Sequence, residues 1–207
     1  MTGDNAIDRL VDAIAQFREV FGTRRLCLES PVEEIISESI EYYAPEMGPD
    51  AARSLFRQPT INLGTITGGT AINTVPARAR AELDVRVTAG IDMRETVATI
   101  RECVANIGRV DVTELTWREG TYVAPNSPIA AASAAAAADI VNGRVYRPST
   151  TGGSDASILR RHGIPAVEFG FGTDTAHGTD EYTTTQALER NVAAYAQIPY
   201  EYRRRIE

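Results

Sequence analysis

The loop from Gly170 to Tyr182 contains the side chains best suited to chemistry. It reads Gly-Phe-Gly-Thr-Asp-Thr-Ala-His-Gly-Thr-Asp-Glu-Tyr, with His177 followed closely by Asp180 and Glu181. Neutral imidazole is a favoured zinc ligand, and neighbouring carboxylates can orient its ring. One histidine in a glycine-rich loop is a weak signal alone, because a surface histidine without any ligand has the same pattern. His177 is therefore a candidate metal ligand that needs support from the rest of the chain.

Two further segments offer groups that could bind an anion or an amide. The stretch 150–156, Thr-Thr-Gly-Gly-Ser-Asp-Ala, runs into a predicted helix that Ser154 can cap. Free N–H groups in the first turn of such a helix could accept a carboxylate, although a plain helix cap is equally consistent. The stretch 68–86 leads from a glycine pair through Asn73 to Arg86, offering an amide and a guanidinium. By itself it is only a turn and a solvated strand.

Elements of the first part of the chain predict an α+β domain. Apolar residues alternate with charged ones from Ala79 to Val87, which predicts a strand with one buried face and one wet face. Helices and strands in this order predict an antiparallel sheet with two helices on one face, over 1–120. In chain order we predict a helix over 7–21 capped by Asp4 or Asn5, a short helix and a loop over 27–59, strands over 60–67 and 79–87, a helix over 93–107 and a strand over 110–117.

Composition and element order change after Gly120. Alanine-rich sequence from Pro128 to the glycine stop at Asn142-Gly143 predicts a closely packed helix. The remaining predicted elements are a short extended piece at 145–146, a helix over 155–162 ended by Gly163, an apolar strand over 164–169, and a helix over 184–197 that Pro199 should kink or end. This alternation predicts part of an α/β sheet, so we place a second, partial α/β domain over 121–207.

Net charge indicates which kinds of partner to expect, and cysteine content indicates which kinds of site to exclude. With 21 Lys and Arg against 28 Asp and Glu, the formal net charge of -7 disfavours nucleic acid and anionic membrane as partners. Small molecules or proteins are the expected partners. Cys27 and Cys103 are too few for a disulfide framework or a cysteine-rich zinc site, and we interpret both as buried thiols. Without a membrane span or a signal segment, the sequence predicts a cytoplasmic protein.

Taken in order, short motifs along the chain resemble those of the co-catalytic zinc hydrolases. That family includes acetylornithine deacetylase, succinyl-diaminopimelate desuccinylase, aminoacylase and glutamate carboxypeptidase. The resemblance covers nearly the whole chain and implies a lid domain over 1–120 followed by the C-terminal portion of a catalytic domain over 121–207. It is carried by Gly-Asp-Asn-Ala-Ile at 3–7, Ile-Asn-Leu-Gly-Thr-Ile at 61–66, Asn-Thr-Val-Pro at 73–76, Glu-Leu-Asp-Val-Arg at 82–86, Gly-Gly-Ser-Asp at 152–155, Gly-Ile-Pro-Ala-Val-Glu-Phe-Gly at 163–170, His177, and Glu-Tyr at 181–182.

The resemblance implies a role for each matching residue. His177 matches a ligand of one zinc ion in a two-zinc site, and Asn73 matches a lid residue that reaches the substrate, in dimeric members from the neighbouring subunit. Arg86 matches a lid arginine that holds a substrate carboxylate, while Gly153 and Ser154 match the loop lining the same pocket. The implied chemistry is hydrolysis of an amide by metal-bound water with a glutamate as general base. It also implies an N-acyl amino acid or peptide substrate, and a homodimer formed through the lid.

Departures from the family are large. Its His-x-Asp metal pair, bridging aspartate, adjacent glutamates and further carboxylate ligand have no counterpart here, so we assign no catalytic residue. His162, at the predicted end of a helix beside Gly163, fits a helix terminus better than a second ligand. Because catalytic zinc normally needs about three protein ligands, we expect this chain alone to be inactive.

Three readings of the chain remain open. It is an incomplete product of a hydrolase gene, which we favour, or a non-catalytic module for dimerisation or carboxylate binding, or one half of a split enzyme. The residues do not choose between deacetylase, desuccinylase and carboxypeptidase.

Overall fold

A computed structural model describes residues 3–141, 143–173 and 175–207, and these form two compact units. The first unit contains the described residues up to Glu29 together with Ala44–Gly120, and the second contains Ser30–Tyr43 and Thr121–Glu207. The division into domains over 1–120 and 121–207 stays a prediction. In chain order the elements are α1 (Ala6–Val20), α2 (Ser30–Met47), α3 (Pro49–Arg57), β1 (Thr60–Gly68), β2 (Ala79–Arg86), α4 (Met93–Ile107), α5 (Pro128–Val141), α6 (Asp155–Arg161) and α7 (Thr185–Ile206).

An antiparallel pair of strands, β1 and β2, forms the sheet of the first unit. The ladder runs from Thr60 opposite Arg86 to Gly68 opposite Ala79, with a bulge between Leu63 and Thr65. Both strands were predicted, and β2 shows the expected alternation of half-buried and exposed residues. The predicted break after β1 is also present, because the next glycine adopts a left-handed backbone with φ 73°.

Helices α1 and α4 pack on one face of this sheet. Asn5 caps α1 by accepting hydrogen bonds from two N–H groups of its first turn, so one of the two predicted caps is confirmed. The rings of Phe17 and Phe21 stack with centroids 5.2 Å apart and lie in the core beside Cys103. The strands and helices supply the half-buried residues around them: Ile61, Leu83, Val85, Ile100, Val104 and Ile107. The predicted α+β arrangement, an antiparallel sheet with two helices on one face, is confirmed.

The region 27–59 is more helical than predicted. Instead of a short helix and a loop it contains α2 and α3, which meet at Gly48. Gly48 has φ 89°, which permits a sharp change of direction, and Pro49 starts α3 where a missing N–H costs nothing. Pro45 lies inside α2 without ending it. The prediction failed because Pro45, Gly48 and Pro49 were together interpreted as the end of a single short helix.

In the second unit α5 and α7 pack through alanine. Ala132 and Ala136 of α5 and Ala194 of α7 have no exposed surface. Small side chains allow two helix backbones to approach closely, so the close packing expected from the alanine-rich sequence is confirmed. The glycine stop of α5 was expected at 142–143, of which Asn142 lies outside the described residues. Pro199 does not end α7, which continues to Ile206.

Three predicted extended pieces, at 110–117, 145–146 and 164–169, form no ladder in the described part of the chain. A β-strand is defined by hydrogen bonds to a neighbouring strand, and the described residues provide none beside these segments. The thiols also differ from expectation in part, because Cys103 is buried but Cys27 is exposed. Among the described helices none is both long enough and apolar enough to cross a membrane.

The alanine packing predicts a position-specific cost of added volume. Ala136→Leu should destabilise the chain by about 1–3 kcal/mol, because a leucine at a fully buried position forces α5 and α7 apart. Ala138→Leu is the matched control on the exposed side of α5 and should change the free energy of unfolding by less than about 0.5 kcal/mol. Urea denaturation of both variants measures this. Equal destabilisation of the two would contradict the packing described here.

Candidate functional site

The loop that carries His177 is closed by hydrogen bonds between its ends. The hydroxyls of Thr173 and Thr175 lie 2.8 Å apart, and both contact the carbonyl oxygen of Tyr182. The Thr175 hydroxyl also accepts the N–H of Tyr182 over 3.1 Å, and its carbonyl accepts the N–H of Gly178 over 2.9 Å. These bonds make the glycine-rich stretch a defined loop.

His177 is held at the exposed tip of this loop. Its backbone is left-handed, with φ 64°, a conformation that is uncommon outside glycine but enriched in histidine among other residues. Its N–H donates to Oε2 of Glu181 over 3.1 Å, and its side chain is exposed. The Glu181 carboxylate therefore fixes the backbone of residue 177, whereas the sequence suggested that it could orient the ring.

The loop with Gly153 and Ser154 leads into α6 as predicted. Ser154 occupies the N-cap position but makes no capping bond with its side chain. Its carbonyl accepts the N–H of Ser157 over 3.0 Å and the Ser157 hydroxyl over 2.6 Å. Since α6 spans only 7 residues, its first turn offers little of the anion-binding field that longer helices supply. His162 ends α6 and is exposed, as predicted for a helix terminus.

Side chains of α2 hold the segment 144–149 that precedes this loop. Glu38 accepts the N–H of Arg147 over 2.9 Å, and the Ser39 hydroxyl accepts the N–H of Ser149 over 2.8 Å. Arg147 also donates from its guanidinium to the carbonyl of Pro125 over 2.9 Å. The chain before the loop is therefore hydrogen-bonded to side chains of α2 at two backbone N–H groups.

A second contact between α2 and this segment is a more exposed ion pair. Arg144 binds Glu41 through both ends of its guanidinium, with Nη2 2.7 Å from Oε2, and its charged carbon lies 4.4 Å from the ring centre of Tyr146. Hydrogen bonding from Arg144 holds the pKa of the Glu41 carboxyl below its ordinary value. Glu41 in turn raises the pKa of Arg144. Both partners therefore stay charged over a wider pH range.

The two predicted lid residues lie on exposed parts of the first unit. Asn73 is on the loop between β1 and β2, next to Ile72, whose side chain is fully exposed. Arg86 ends β2 on its wet face and binds the carboxylate of Asp84, with Nε and Nη2 each 2.8 Å from Oδ2. A substrate carboxylate would have to compete with Asp84 for this guanidinium.

The structure separates the predicted site residues into two groups. Asn73 and Arg86 belong to the first unit, and Gly153, Ser154 and His177 belong to the second. No hydrogen bond or ion pair joins His177 to the other two of its group within the described chain. Over residues 3–141, 143–173 and 175–207, no three His, Cys, Asp or Glu side chains lie close enough together to hold a metal ion. The roles of these five residues stay predictions.

An open cleft of about 440 Å³ lies elsewhere in the second unit. None of the predicted site residues lines it. Its walls come from α6, from the segment after it and from α7, and consist of Asp155, Ala156, Leu159, Ala166, Val167, Glu168, Phe169 and Tyr195.

Sequence reasoning missed the anchoring residues Glu38, Ser39 and Glu41. A signal was present, because the two glutamates are three positions apart and share one helix face. Their partners are 103 to 110 residues further along the chain, and no pattern in a single sequence pairs positions so far apart.

A family model described as "Peptidase dimerisation domain" matches residues 2–112. Succinyl-diaminopimelate desuccinylase of Dinoroseobacter shibae is 27% identical over 158 residues, which cover 74% of this chain and 41% of that protein. The enzyme of the same name from Magnetococcus marinus is 32% identical over 147 residues, covering 69% of this chain and 38% of that protein. The chain thus spans about two fifths of these curated relatives.

A solved structure of similar fold is the M20 family metallo-carboxypeptidase Sso-CP2 from Sulfolobus solfataricus. It aligns with a TM-score of 0.70 at 18% identity and covers 97% of this chain but 53% of that structure. The aminopeptidase PepT from Bacillus cereus aligns with a TM-score of 0.55 at 25% identity, covering 81% of this chain and 44% of that structure. Similarity of fold therefore extends over both units of the chain.

The ion pair between α2 and Arg144 predicts a shifted titration. The Glu41 carboxyl should titrate below its ordinary value, and Arg144→Gln should raise its midpoint because the hydrogen-bonding guanidinium is gone. Stability from this pair is complete above the unfolded pKa of Glu41 and is lost as pH falls through the lowered folded value. Carboxyl-carbon NMR titration measures both midpoints. Arg53→Gln, at an exposed ion pair of α3, is the control and should leave Glu41 unchanged.

Proposed function

Because the chain belongs to the M20 peptidase family, whose dimerisation-domain model matches more than half of it, we propose that it is the lid and C-terminal portion of a metal-dependent hydrolase that cleaves amide bonds. The observation that carries the proposal is that similarity extends past the dimerisation domain. The fold match to Sso-CP2 covers 97% of the chain, whereas the dimerisation-domain model ends at residue 112. A free-standing dimerisation domain would not account for the chain after that residue.

In the complete enzyme, His177 is proposed as one ligand of a two-zinc site. Its exposed ring and its constrained loop support this role, since a ligand must project into space that other ligands can reach. The residues described here do not fit a whole zinc site, because catalytic zinc normally needs about three protein ligands and no such set lies together. The remaining ligands and the general base are proposed to come from further polypeptide of the complete enzyme.

The proposed substrate is an N-acyl amino acid or a peptide with a free carboxylate. Arg86, Gly153 and Ser154 are the residues proposed to contact it, with Asn73 reaching toward the substrate from the lid. The pairing of Arg86 with Asp84 keeps the guanidinium in one orientation before the substrate arrives. The substrate carboxylate must then compete with the Asp84 carboxylate for this guanidinium. The names of the matched proteins, succinyl-diaminopimelate desuccinylase and metallo-carboxypeptidase, support this choice of substrate class.

We further propose a homodimer formed through the first unit and a cytoplasmic location. The dimer rests on the description of the matching family model, and the location rests on sequence composition alone.

A split enzyme is the second candidate. The alignment with Sso-CP2 covers 97% of this chain and 53% of that structure, and in a split enzyme a second polypeptide would supply the rest. A non-catalytic module for dimerisation or carboxylate binding is the third. An in-frame His-x-Asp segment upstream of Met1 in the genome would support a longer single chain, a separate reading frame would support the split enzyme, and neither would support the module.

The chain alone should not hydrolyse amides. Purified protein with added zinc should show no turnover of N-succinyl-diaminopimelate, N-acetyl amino acids or dipeptides, because no three ligand side chains lie together among the described residues. Product release is followed by a colorimetric amine assay. Turnover that disappears on adding a chelator would show that the chain is competent without further polypeptide.

Supplying the missing part should restore hydrolysis that depends on His177. The unmatched portion of the Magnetococcus marinus desuccinylase can be added in trans or fused to this chain. His177→Asn should lower activity by at least about a hundredfold, and asparagine is chosen because it tolerates the left-handed backbone at this position. His162→Asn is the matched control and should keep wild-type activity. An assembled enzyme indifferent to His177→Asn would rule out the proposed ligand.

A further inference from the structure

We propose that Glu38 and Ser39 of α2 are positioning residues for the loop Thr150–Ser154. The inference rests on the proposed function in one respect, namely that this loop lines the substrate pocket. It goes beyond that function by assigning a task to α2, which the sequence did not connect with the site.

Both bonds run from the backbone just before the loop to α2. Arg147 and Ser149 are two residues apart, and their N–H groups donate to Glu38 over 2.9 Å and to Ser39 over 2.8 Å. Because Glu38 and Ser39 are neighbours on one helix, the two bonds attach nearby points of this chain segment to α2. Side chains of a helix thus satisfy backbone N–H groups that would otherwise need another partner.

Both acceptors are held in place. The Ser39 side chain has no exposed surface, and its hydroxyl donates to the carbonyl of Ile35 over 2.7 Å, which directs its lone pair toward Ser149. The Glu38 side chain is 11% exposed and its other oxygen pairs with the Arg147 guanidinium over 3.4 Å. A charged acceptor such as the Glu38 carboxylate generally makes a stronger hydrogen bond than a neutral one.

These anchors matter because the loop has little packing at its glycines. A Cβ atom added to Gly152 or Gly153 would meet nothing within 4 Å. The loop is bounded on one side by the bonded N–H of Ser149 and on the other by the Ser154 carbonyl, which accepts from α6. Bonds at both ends of the loop therefore help to set its position, and α2 supplies the acceptor at one of them.

Amide hydrogen exchange in the full chain, followed by NMR, tests the assignment. Ser39→Ala should speed exchange of the Ser149 N–H, and Glu38→Ala that of the Arg147 N–H, by about fivefold or more, and both should shift the backbone signals of residues 150–154, with α5, β1 and β2 unchanged. Glu38→Gln keeps a carbonyl acceptor for the Arg147 N–H and should restore slow exchange. Ser37→Ala is the control, since Ser37 is on the same helix, is exposed and bonds only within α2.

Unchanged exchange of the Arg147 and Ser149 N–H groups with unchanged backbone signals at residues 150–154 in the alanine variants would overturn the assignment, as would faster exchange spread evenly over the chain. If Ser39→Ala does not fold, the comparison of Glu38→Ala with Glu38→Gln decides the same question. The measurement needs neither metal nor substrate. A failure of the restored enzyme to hydrolyse amides would therefore count against the proposed function and leave the exchange result standing.

Discussion

Backbone polar groups that leave water need hydrogen-bond partners, and much of this chain is organised by how that requirement is met. In the first unit the ladder between β1 and β2 supplies these partners. In the second unit side chains supply them, because no strand ladder is present there among the described residues. Asn191 of α7 both donates to and accepts from the backbone of Phe171, and Tyr195 donates to the carbonyl of Phe169 over 2.7 Å. The Arg160 guanidinium likewise donates to the carbonyl oxygen of Ala166. Helices thus hold the chain that leads toward His177, as α2 holds the chain that leads toward Ser154.

Elements with strong local periodicity could be predicted from the sequence. The alternation in β2 and the helical spacing in α1 and α4 agree with the structure to within a few residues, since each pattern reflects burial of one face against a core. The region 27–59 was harder, because Pro45, Gly48 and Pro49 can end one helix or separate two. The strands expected at 110–117 and 164–169 failed for another reason. Their residues suit an extended chain, but a strand also needs a partner, and partnership is not a local property.

The sequence proposes the candidate site as a set of residue types, whose roles stay predictions, and the arrangement of these residues could not be predicted from it. The motif order gave the family, which the dimerisation-domain match then established. The left-handed backbone of His177 and the bond from its N–H to Glu181 have no signature in composition or spacing. Engagement of Arg86 by Asp84 could have been expected, because residues i and i+2 share one face of a strand. The hydrogen bonds from residues 147 and 149 to α2 could not have been expected, since they join residues that are far apart in the chain.

The exposed thiol of Cys27 has a practical bearing on the oligomeric state. Two solvent-accessible thiols on different copies can be joined by air oxidation, which would yield covalent pairs unrelated to any natural association. Such pairs would run at twice the molecular weight on a sizing column and imitate a lid-mediated homodimer. Sizing in the presence of a reductant, or after Cys27→Ser, separates the two cases, and the buried Cys103 needs no such precaution.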